Sequence, residues 1–389
     1  MPEEPLDNSV PPPRPDDDLI EAGMRQELEP ADPLPSMDTR YLDEADVRAE
    51  SVGPASDSFP GYQITRKIHE GGQGVVYQAV QQHTKRKVAI KVMKEGPFAS
   101  KRDKARFERE VEILGQLNHP NIVGVHDSGV AGGSFYFVMD YVSGQPMDVW
   151  MDSKERTIEE TLRLFVKICE AVNAAHLRGV IHRDLKPGNI RIDAAGEPHI
   201  LDFGLAKVAT ASDVSVMTMT GQFMGSLPWA SPEQAEAVPE KIDIRTDVYS
   251  LGVILYQMLT GKFPYEVVGN MHDVLDRIMK AEPTRPSTIR RQINDEVETI
   301  VLKCLSKERE RRYQSAGELA RDIGHYLKGE PIEAKRDSAL YVLRKSLRRY
   351  KVPVAVVGGF VVLVSVSLVV SVALLRQADN ERDRAKAAQ

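Results

Sequence analysis

The chain has 389 residues, 42% of them hydrophobic, and a formal net charge of −6. This length allows two to three domains with a core of ordinary size. Residues 1–58 hold sixteen acidic and four basic side chains, so the rest carries a net charge of +6, much of it in one short run near the C-terminus. The sequence therefore shows no basic surface of the kind that nucleic-acid-binding proteins use.

The first 58 residues are predicted to form a disordered, acidic, proline-rich tail. They contain ten prolines and few aromatic residues, so they cannot bury enough apolar surface to offset the loss of chain entropy. The tail lacks the positive start and apolar run of a secretory signal peptide. A plain solvated tail is favoured over a docking or autoregulatory segment.

Residues 60–330 alternate strand-like and helix-like segments. The stretch "YQITRKIHEGGQGVVYQAVQQHTKRKVAIKVM", from residue 62, places a glycine cluster between alternating apolar runs and predicts a β-hairpin. Its glycines at 71, 72 and 74 would let backbone amides approach an anion, although glycine-rich turns are common without a ligand. Lys91 ends the apolar run 88–90, where a lysine usually faces solvent.

The next segment, "KARFEREVEILGQLNHPNIV" from residue 104, has helical spacing of its apolar residues. Glu110 lies near the core-facing edge of this helix, where a carboxylate is costly unless it is paired, and Lys91 is the candidate cation. Further along, Cys169 and Cys304 lie in apolar helical patterns, which predicts buried, reduced thiols and a reducing compartment.

Two later stretches place polar groups beside apolar ones. The segment "IHRDLKPGNI" (181–190) holds Asp184, Lys186 and Asn189 within six residues. The segment "HILDFGLAK" (199–207) places Asp202 directly after an apolar pair, at the mouth of a short strand. A solvated loop can carry such charges without any role, so each stretch is ambiguous when it is considered alone.

Taken in order, the glycine hairpin, strand lysine, helix glutamate, His-Arg-Asp-x-Lys-x-x-Asn and Asp-Phe-Gly resemble the signature set of eukaryotic-type protein kinases. The resemblance covers residues 62–328 and includes "GSLPWASPEQ" and "DVYSLGVILYQMLTGKFPY". It is closer to bacterial membrane-anchored serine/threonine kinases, from "EGGQGVVY" through "RRYQSAGELARDIGHYLKGEPIEA". This implies an α+β, bilobal protein kinase fold over residues 59–330, with a small β-rich N-lobe and a larger helical C-lobe.

The resemblance assigns a role to each polar group. It implies ATP as phosphoryl donor and serine or threonine hydroxyls of proteins as acceptors. The expected catalytic residues are Asp184 as base, Lys186 and Lys91 on the phosphates, and Glu110 fixing Lys91. The expected ligands of Mg²⁺, or of Mn²⁺, are Asn189 and Asp202. The residues expected to bind the nucleotide are Ile68, His69, Glu70, Gly71, Gly72, Gln73, Gly74, Val76, Ala89, Lys91, Met139, Asp140 and Val142.

Further family features have architectural roles, and a few positions depart from the pattern. The resemblance implies that Phe203 and His182 stack with Leu114, that Asp247 anchors the catalytic loop and that Glu233 pairs with Arg312. The departures are His69 for the first loop glycine, Asp140 for the commoner glutamate, Ser226 for threonine and Ser231 for alanine. His69 puts nucleotide affinity in question, because its Cβ can restrict closure of the loop.

The hydroxyl-rich stretch from Asp202 to Glu233 is predicted to be a regulatory loop. Thr218 and Thr220 match the position of the activating threonines in the bacterial kinases, and phosphorylation between two copies in a homodimer would make clustering the switch. The alternative is that both are ordinary loop residues. Arg183, next to the expected base, would pair with the added phosphate.

Residues 352–375 form an uncharged run of 24 residues. As a helix it would extend about 36 Å at roughly 1.5 Å per residue, enough for a hydrocarbon core of about 30 Å. Basic residues in 331–351 place the N-terminal side in the cytoplasm, with residues 376–389 as a short extracytoplasmic tail. The sequence thus predicts a single-pass protein of the cytoplasmic membrane; two buried valine-rich strands are the alternative.

Two rival functions belong to other classes. A pseudokinase acting as a membrane-tethered scaffold would be favoured by loss of Lys91, Asp184, Asn189 or Asp202, and all four are present. Small-molecule kinases of related fold lack the full "GSLPWASPEQ" platform. Transfer to a protein substrate distinguishes the three functions.

Overall fold

A twisted antiparallel sheet forms the N-terminal part of the computed structural model, which describes residues 59–71, 74–93, 108–109, 111–203, 226–336, 341, 345, 359–360 and 362–377. Its strands, in the order β1-β2-β3-β5-β4, are β1 (Tyr62–Glu70), β2 (Gly74–Gln81), β3 (Lys87–Met93), β4 (Val125–Ala131) and β5 (Ser134–Asp140). The predicted tail 1–58, Gly72, Gln73, Glu110, Thr218 and Thr220 lie outside the described residues.

The two faces of this sheet pack against different layers, which explains the near-continuous apolar run in β3. Val88 and Ile90 belong to a small cluster on the outer face, together with Phe59 and Tyr62. Ala89 on the opposite face belongs to the large core shared with the C-terminal part. Side chains on that inner face therefore point toward the second lobe.

The C-terminal part is helical and carries a second, three-stranded sheet. Its strands are β6 (Gly144–Pro146), β7 (Ile190–Asp193) and β8 (Pro198–Ile200), paired in the order β6-β7-β8. Its helices are α1 (Met147–Asp152), α2 (Ile158–His176), α3 (Pro232–Ala235), α4 (Ile244–Thr260), α5 (Met271–Lys280), α6 (Pro286–Ile289), α7 (Asp295–Cys304) and α8 (Ala316–Leu327). Residues 108–109 and 111–115 are also helical. The expected bilobal α+β fold is confirmed.

Helix α4 is the centre of the larger lobe. It begins at Asp243, whose side chain accepts from the backbone N–H of Arg245, and ends at Gly261, which has a φ of 69°. Most of its residues are buried, including the polar Thr246, Asp247 and Ser250. A helix buried on all sides must carry partners for each polar group, and in this protein those partners build the functional site.

The predicted burial of both thiols is confirmed. Cys169 on α2 and Cys304 on α7 are fully buried, free cysteines. Burial raises the pKa of each thiol well above its usual value. Both side chains therefore act as small apolar core residues.

A buried ion pair joins α3 to the segment before α8. The Arg312 guanidinium donates to both carboxylate oxygens of Glu233 at 2.9 Å, and the Thr246 hydroxyl donates to Glu233 Oε1 at 2.8 Å. Arg312 also donates to the carbonyl oxygens of Ser306 and Lys307. Burial would raise the pKa of Glu233, but Arg312 brings it below its usual value. The carboxylate is thus ionised and fully paired.

The chain beyond α8 continues to contact the lobe. Ile332 is completely buried in the core, and its backbone N–H donates to the Tyr341 hydroxyl at 3.1 Å. Glu296 on α7 pairs with Lys345 and accepts from Tyr341. The segment after the predicted domain end at residue 330 is therefore attached to α7.

Among the residues that the structure describes, none of the helices combines the length and the apolar character needed to cross a membrane. Residues 352–358 and 361 of the predicted span, and 378–389 of the predicted tail, lie outside this description.

Replacing Arg312 with methionine should lower the free energy of unfolding by about 3–5 kcal/mol, because Glu233 would remain buried without its cation. Chemical denaturation of the full chain measures this change. The matched control is Arg311→Met, whose side chain is 76% exposed and which should change stability by less than about 0.5 kcal/mol. Equal stability of the two variants would contradict the assigned role of the pair.

Candidate functional site

The loop between α2 and β7 lies at the centre of the site, and a buried carboxylate holds its backbone. Asp247 Oδ2 accepts from the backbone N–H of His182 at 2.7 Å, and Oδ1 accepts from that of Arg183 at 2.9 Å. His176 Nε2 lies 2.8 Å from Oδ2. Burial would raise the pKa of Asp247, but the bond and charge of His176 bring it below its usual value. The ionised carboxylate anchors the loop, as the resemblance implies.

The imidazole of His182 fixes the other end of this turn. The backbone N–H of Asp184 donates to His182 Nδ1 at 3.3 Å, so Nδ1 is the unprotonated nitrogen. The remaining proton on Nε2 then donates to the carbonyl of Leu201 at 2.9 Å. The ring also stacks on Phe203 with centroids 4.8 Å apart. This side chain thereby ties the loop to the segment that carries Asp202.

Arg183 has a φ of 67°, which is unusual for a residue with a side chain. Its N–H is held by Asp247, and its carbonyl oxygen accepts from Gln234 Nε2 at 2.7 Å. This strained conformation turns the backbone sharply just before Asp184. Contacts from α4 and α3 therefore maintain the turn.

Asp184, Lys186 and Asn189 converge at the exit of the turn. Asp184 Oδ2 lies 3.2 Å from Lys186 Nζ and accepts from Asn189 Nδ2 at 3.1 Å. Asn189 Nδ2 also donates to the Asp184 carbonyl at 2.7 Å. Lys186 Nζ donates in addition to Ser226 Oγ at 2.6 Å. The spacing of these residues in the sequence thus brings an acid, a cation and an amide into direct contact.

Asp202 faces this group from the segment after β8. Its Oδ2 accepts from Lys91 Nζ at 2.8 Å, and Lys91 is only 4% exposed. Burial would raise the pKa of Asp202, but Lys91 brings it below its usual value, with smaller help from His182 and Lys186. Asp202 has a φ of 59°, so its backbone is also strained. Lys91 therefore does not face solvent.

Asn189 and Asp202 are suited to hold a divalent cation. The backbone N–H of Leu201 donates to the Asn189 carbonyl at 2.9 Å, which places Asp202 beside the asparagine. Both hydrogen bonds from Asn189 to Asp184 use Nδ2, so Oδ1 is the atom available to a cation. An amide oxygen and a carboxylate are hard donors of the type that Mg²⁺ and Mn²⁺ prefer.

The expected adenine slot lies between the lobes. Ala89 and Met139 are buried on adjacent strands in direct register, and Val76 packs against the same core. The Asp140 side chain is directed elsewhere, since it pairs with Arg86 and with His126 Nε2 at 2.9 Å. The backbone N–H of Asp140 donates to the Gly124 carbonyl at 3.1 Å. A small pocket adjoins the slot and is lined by Leu114, Leu117, Ile122, Val123, Val125, Met139, Asp202 and Phe203.

The glycines of the β1–β2 turn have different reasons to be glycine. A Cβ on Gly74 would lie 2.2 Å from the Val92 carbonyl oxygen, so close packing of β2 against β3 requires glycine there. A Cβ on Gly71 would lie 3.0 Å from His69 Nε2. Ile68 and Glu70 flank His69 in β1, and Glu70 pairs with Lys67. The histidine side chain thus occupies space beside the turn.

The structure brings together Lys91, Asp184, Lys186, Asn189 and Asp202 from distant parts of the chain. The predicted pairing of Glu110 with Lys91 lies outside the described residues. Sequence reasoning did not assign roles to Gln234 or His176. Gln234 directly follows Glu233 in the segment "GSLPWASPEQ", so this motif could have drawn attention to it. No local sequence pattern marks His176.

Comparisons with known proteins agree with this geometry. The protein kinase domain family matches residues 62–322. The serine/threonine-protein kinase PknB of Mycobacterium tuberculosis is 35% identical over 280 residues, which cover 71% of this chain and 44% of PknB. A protein of Streptomyces coelicolor named as a probable serine/threonine-protein kinase is 35% identical over 278 residues, covering 70% of this chain and 41% of that protein. The matched region is thus less than half the length of these relatives.

Among solved structures, the kinase domain of Mycobacterium tuberculosis PknI aligns with a TM-score of 0.55 and 23% identity. The alignment covers 71% of this chain and 99% of that domain. At this level of identity the similarity establishes the fold.

Proposed function

The chain belongs to the protein kinase family, and on that premise we propose that it is a serine/threonine-protein kinase that transfers the γ-phosphate of ATP to protein hydroxyls. The observation that carries the proposal is the convergence of Asp184, Lys186 and Asn189 on one anchored loop, facing Asp202 and Lys91. The names of the bacterial relatives support the serine/threonine class.

Asp184 is the proposed base. Its carboxylate is 16% exposed and bonded to Lys186 and Asn189, so it is oriented yet reachable from the cleft. It would take the proton of the substrate hydroxyl while the oxygen–phosphorus bond forms and the bond to the ADP oxygen breaks. Lys186, which contacts both Asp184 and Ser226 Oγ, would neutralise charge on the transferring phosphoryl group.

The nucleotide would lie between the lobes with its base in the slot of Val76, Ala89 and Met139. Lys91, on the inner face of β3, would bind its α and β phosphates. Asn189 and Asp202 would hold Mg²⁺ or Mn²⁺, which supplies positive charge to the phosphate oxygens. Because these two residues supply oxygen donors only, the cation would retain water and phosphate ligands.

Asp184→Asn should reduce phosphate incorporation into a generic protein substrate to background and leave the melting temperature nearly unchanged. Asparagine keeps the shape of the side chain but cannot accept the proton. Labelled ATP with Mg²⁺ measures transfer, and the same reaction in excess chelator should show none. Asp152→Asn, at an exposed position at the end of α1, is the matched control and should retain full activity. Substantial transfer by Asp184→Asn would refute the assignment.

We propose further that the kinase is activated by phosphorylation at Thr218 or Thr220. The support is the position of Arg183, which directly precedes Asp184 and whose main chain is fixed by Asp247 and Gln234. A phosphate adds about −1.5 to −2 charge and three acceptor oxygens, which would pair with this arginine. Two copies meeting at a membrane would phosphorylate each other.

Thr218→Ala combined with Thr220→Ala should lower the transfer rate more than tenfold, about 1.4 kcal/mol of transition-state stabilisation. Mass spectrometry of the active wild type should find phosphate on at least one of the two threonines. Wild type should also phosphorylate the Asp184→Asn chain at these positions if the reaction occurs between molecules. Full activity of the double variant with an unmodified loop would disprove this regulation and leave the catalytic assignment intact.

We also propose that residues 352–375 anchor the protein in the cytoplasmic membrane with the kinase domain in the cytoplasm. Every described large apolar side chain from Phe360 to Leu375 is exposed, so none is covered by the core. Such a continuous apolar surface is favourable in lipid. The basic segment that precedes it supports this orientation.

Ending the chain at residue 351 should move the protein from the membrane fraction to the soluble fraction with its kinase activity retained. The control chain, which ends at residue 377, keeps the apolar run and should remain with membranes. Fractionation and immunoblotting measure the distribution. The anchor is disproved if the full chain is itself soluble.

A further inference from the structure

Histidine replaces the first loop glycine in β1, and the register of the sheet determines where its side chain points. Lys67 pairs with Tyr77 and His69 pairs with Val76, so Ile68 is an extra residue in β1. Adjacent residues of β2 face opposite sides, and therefore the bulge turns Lys67 and His69 to opposite faces. Without the bulge, His69 would lie on the same face as Lys67.

A row of three residues crosses the inner face of the sheet. Val76 is the direct partner of His69 on β1 and also of Lys91 on β3. Direct cross-strand partners share one face of a sheet. Since Lys91 reaches Asp202 from this face, His69 also faces the cleft, two strands from the lysine.

The surroundings of the imidazole agree with this placement. His69 is partly buried, and its Nε2 lies next to Gly71. Burial lowers the pKa of His69, and the charges of Lys91 and Lys186 lower it further, against the opposing effects of Asp202 and Glu70. Four charged groups from β1, β3, the catalytic loop and the segment after β8 thus act on one ring. A neutral imidazole keeps one N–H donor.

We propose that His69 is a phosphate-binding residue, which donates a hydrogen bond from its imidazole to the phosphates of the bound nucleotide. In the proposed function the nucleotide phosphates and their cation would lie beside Lys91, Lys186 and Asp202, and His69 faces the same cleft from the sheet. The side chain takes over part of the contact that backbone amides supply in a glycine loop. This inference deepens the proposed kinase function and rests on it.

Gly71 is part of the same arrangement. Because any Cβ at position 71 would approach His69 Nε2 to 3.0 Å, glycine leaves the ring room beside the turn. Glycine at position 71 thus accommodates the position of the His69 ring.

Affinities for Mg·ADP and for adenosine test the proposal, because only ADP carries phosphates. Calorimetry or competition with a fluorescent nucleotide is carried out on the full chain in detergent micelles. His69→Ala and His69→Gly should each weaken ADP binding about tenfold and change adenosine binding less than twofold. His69→Gln, whose amide also donates, should bind ADP within about threefold of wild type. His83→Ala is the matched control, since His83 lies exposed in the β2–β3 turn, and it should change neither affinity.

The outcomes separate this inference from the function on which it rests. If wild type binds ADP and His69→Gly binds it equally or more tightly, the histidine obstructs the site or is neutral, and the inference is wrong while the kinase assignment stands. Equal losses for ADP and adenosine, or no recovery in His69→Gln, also overturn the phosphate contact. If wild type does not bind ADP at all, the proposed function fails together with the inference.

Discussion

The buried carboxylate of Asp247 is the constraint on which the rest of the site depends. An ionised group with no exposed surface is stable only if its oxygens have strong partners, and Asp247 obtains them from His176 and from two consecutive backbone amides of the catalytic loop. The loop must therefore follow the path that presents both N–H groups to one carboxylate. The positive φ of Arg183 is a consequence of that path. Asp184 is the next residue in the chain, so the same path sets its position.

The first turn of α4 connects this anchor to the region that precedes α4 in sequence. Thr246, next to Asp247, donates to Glu233, and Glu233 binds Arg312. Gln234, next to Glu233, donates to the Arg183 carbonyl. These hydrogen bonds thus connect the loop, α4 and the ion pair around one residue, Arg183. Thr246, Asp247, Glu233 and Arg312 are buried, so the loss of one of these partners would leave another polar group unsatisfied.

Much of this arrangement follows from the sequence, and the remainder depends on tertiary geometry. The ordered motifs resemble those of protein kinases, and this resemblance implies the bilobal fold, the anchor at Asp247 and the ion pair of Glu233 with Arg312. The sequence predicts that Gly74 gives an anion access to backbone amides, whereas the nearby Val92 carbonyl is the closer steric reason for glycine. The bulge at Ile68 has no characteristic residue type, so only the strand register reveals that His69 faces the cleft. The contact of Lys91 with Asp202 spans 111 positions and arises from the meeting of the two lobes.

The charges of the site are balanced in pairs, which bears on how a nucleotide can bind. Among the described residues, Lys91 pairs with Asp202 and Lys186 pairs with Asp184, so a carboxylate lies beside each of these two buried or half-buried cations. A phosphate chain with its divalent cation brings both signs at once. Its oxygens offer partners to the two lysines, and the cation offers one to Asp202 when Lys91 turns to the phosphates, so binding replaces the Lys91–Asp202 pair with new pairs of both signs. The nucleotide alone would offer partners only to the lysines, and the cation alone would offer one only to a carboxylate. Metal and nucleotide are for that reason expected to bind together, and a neutral donor such as His69 adds a phosphate contact without disturbing this balance.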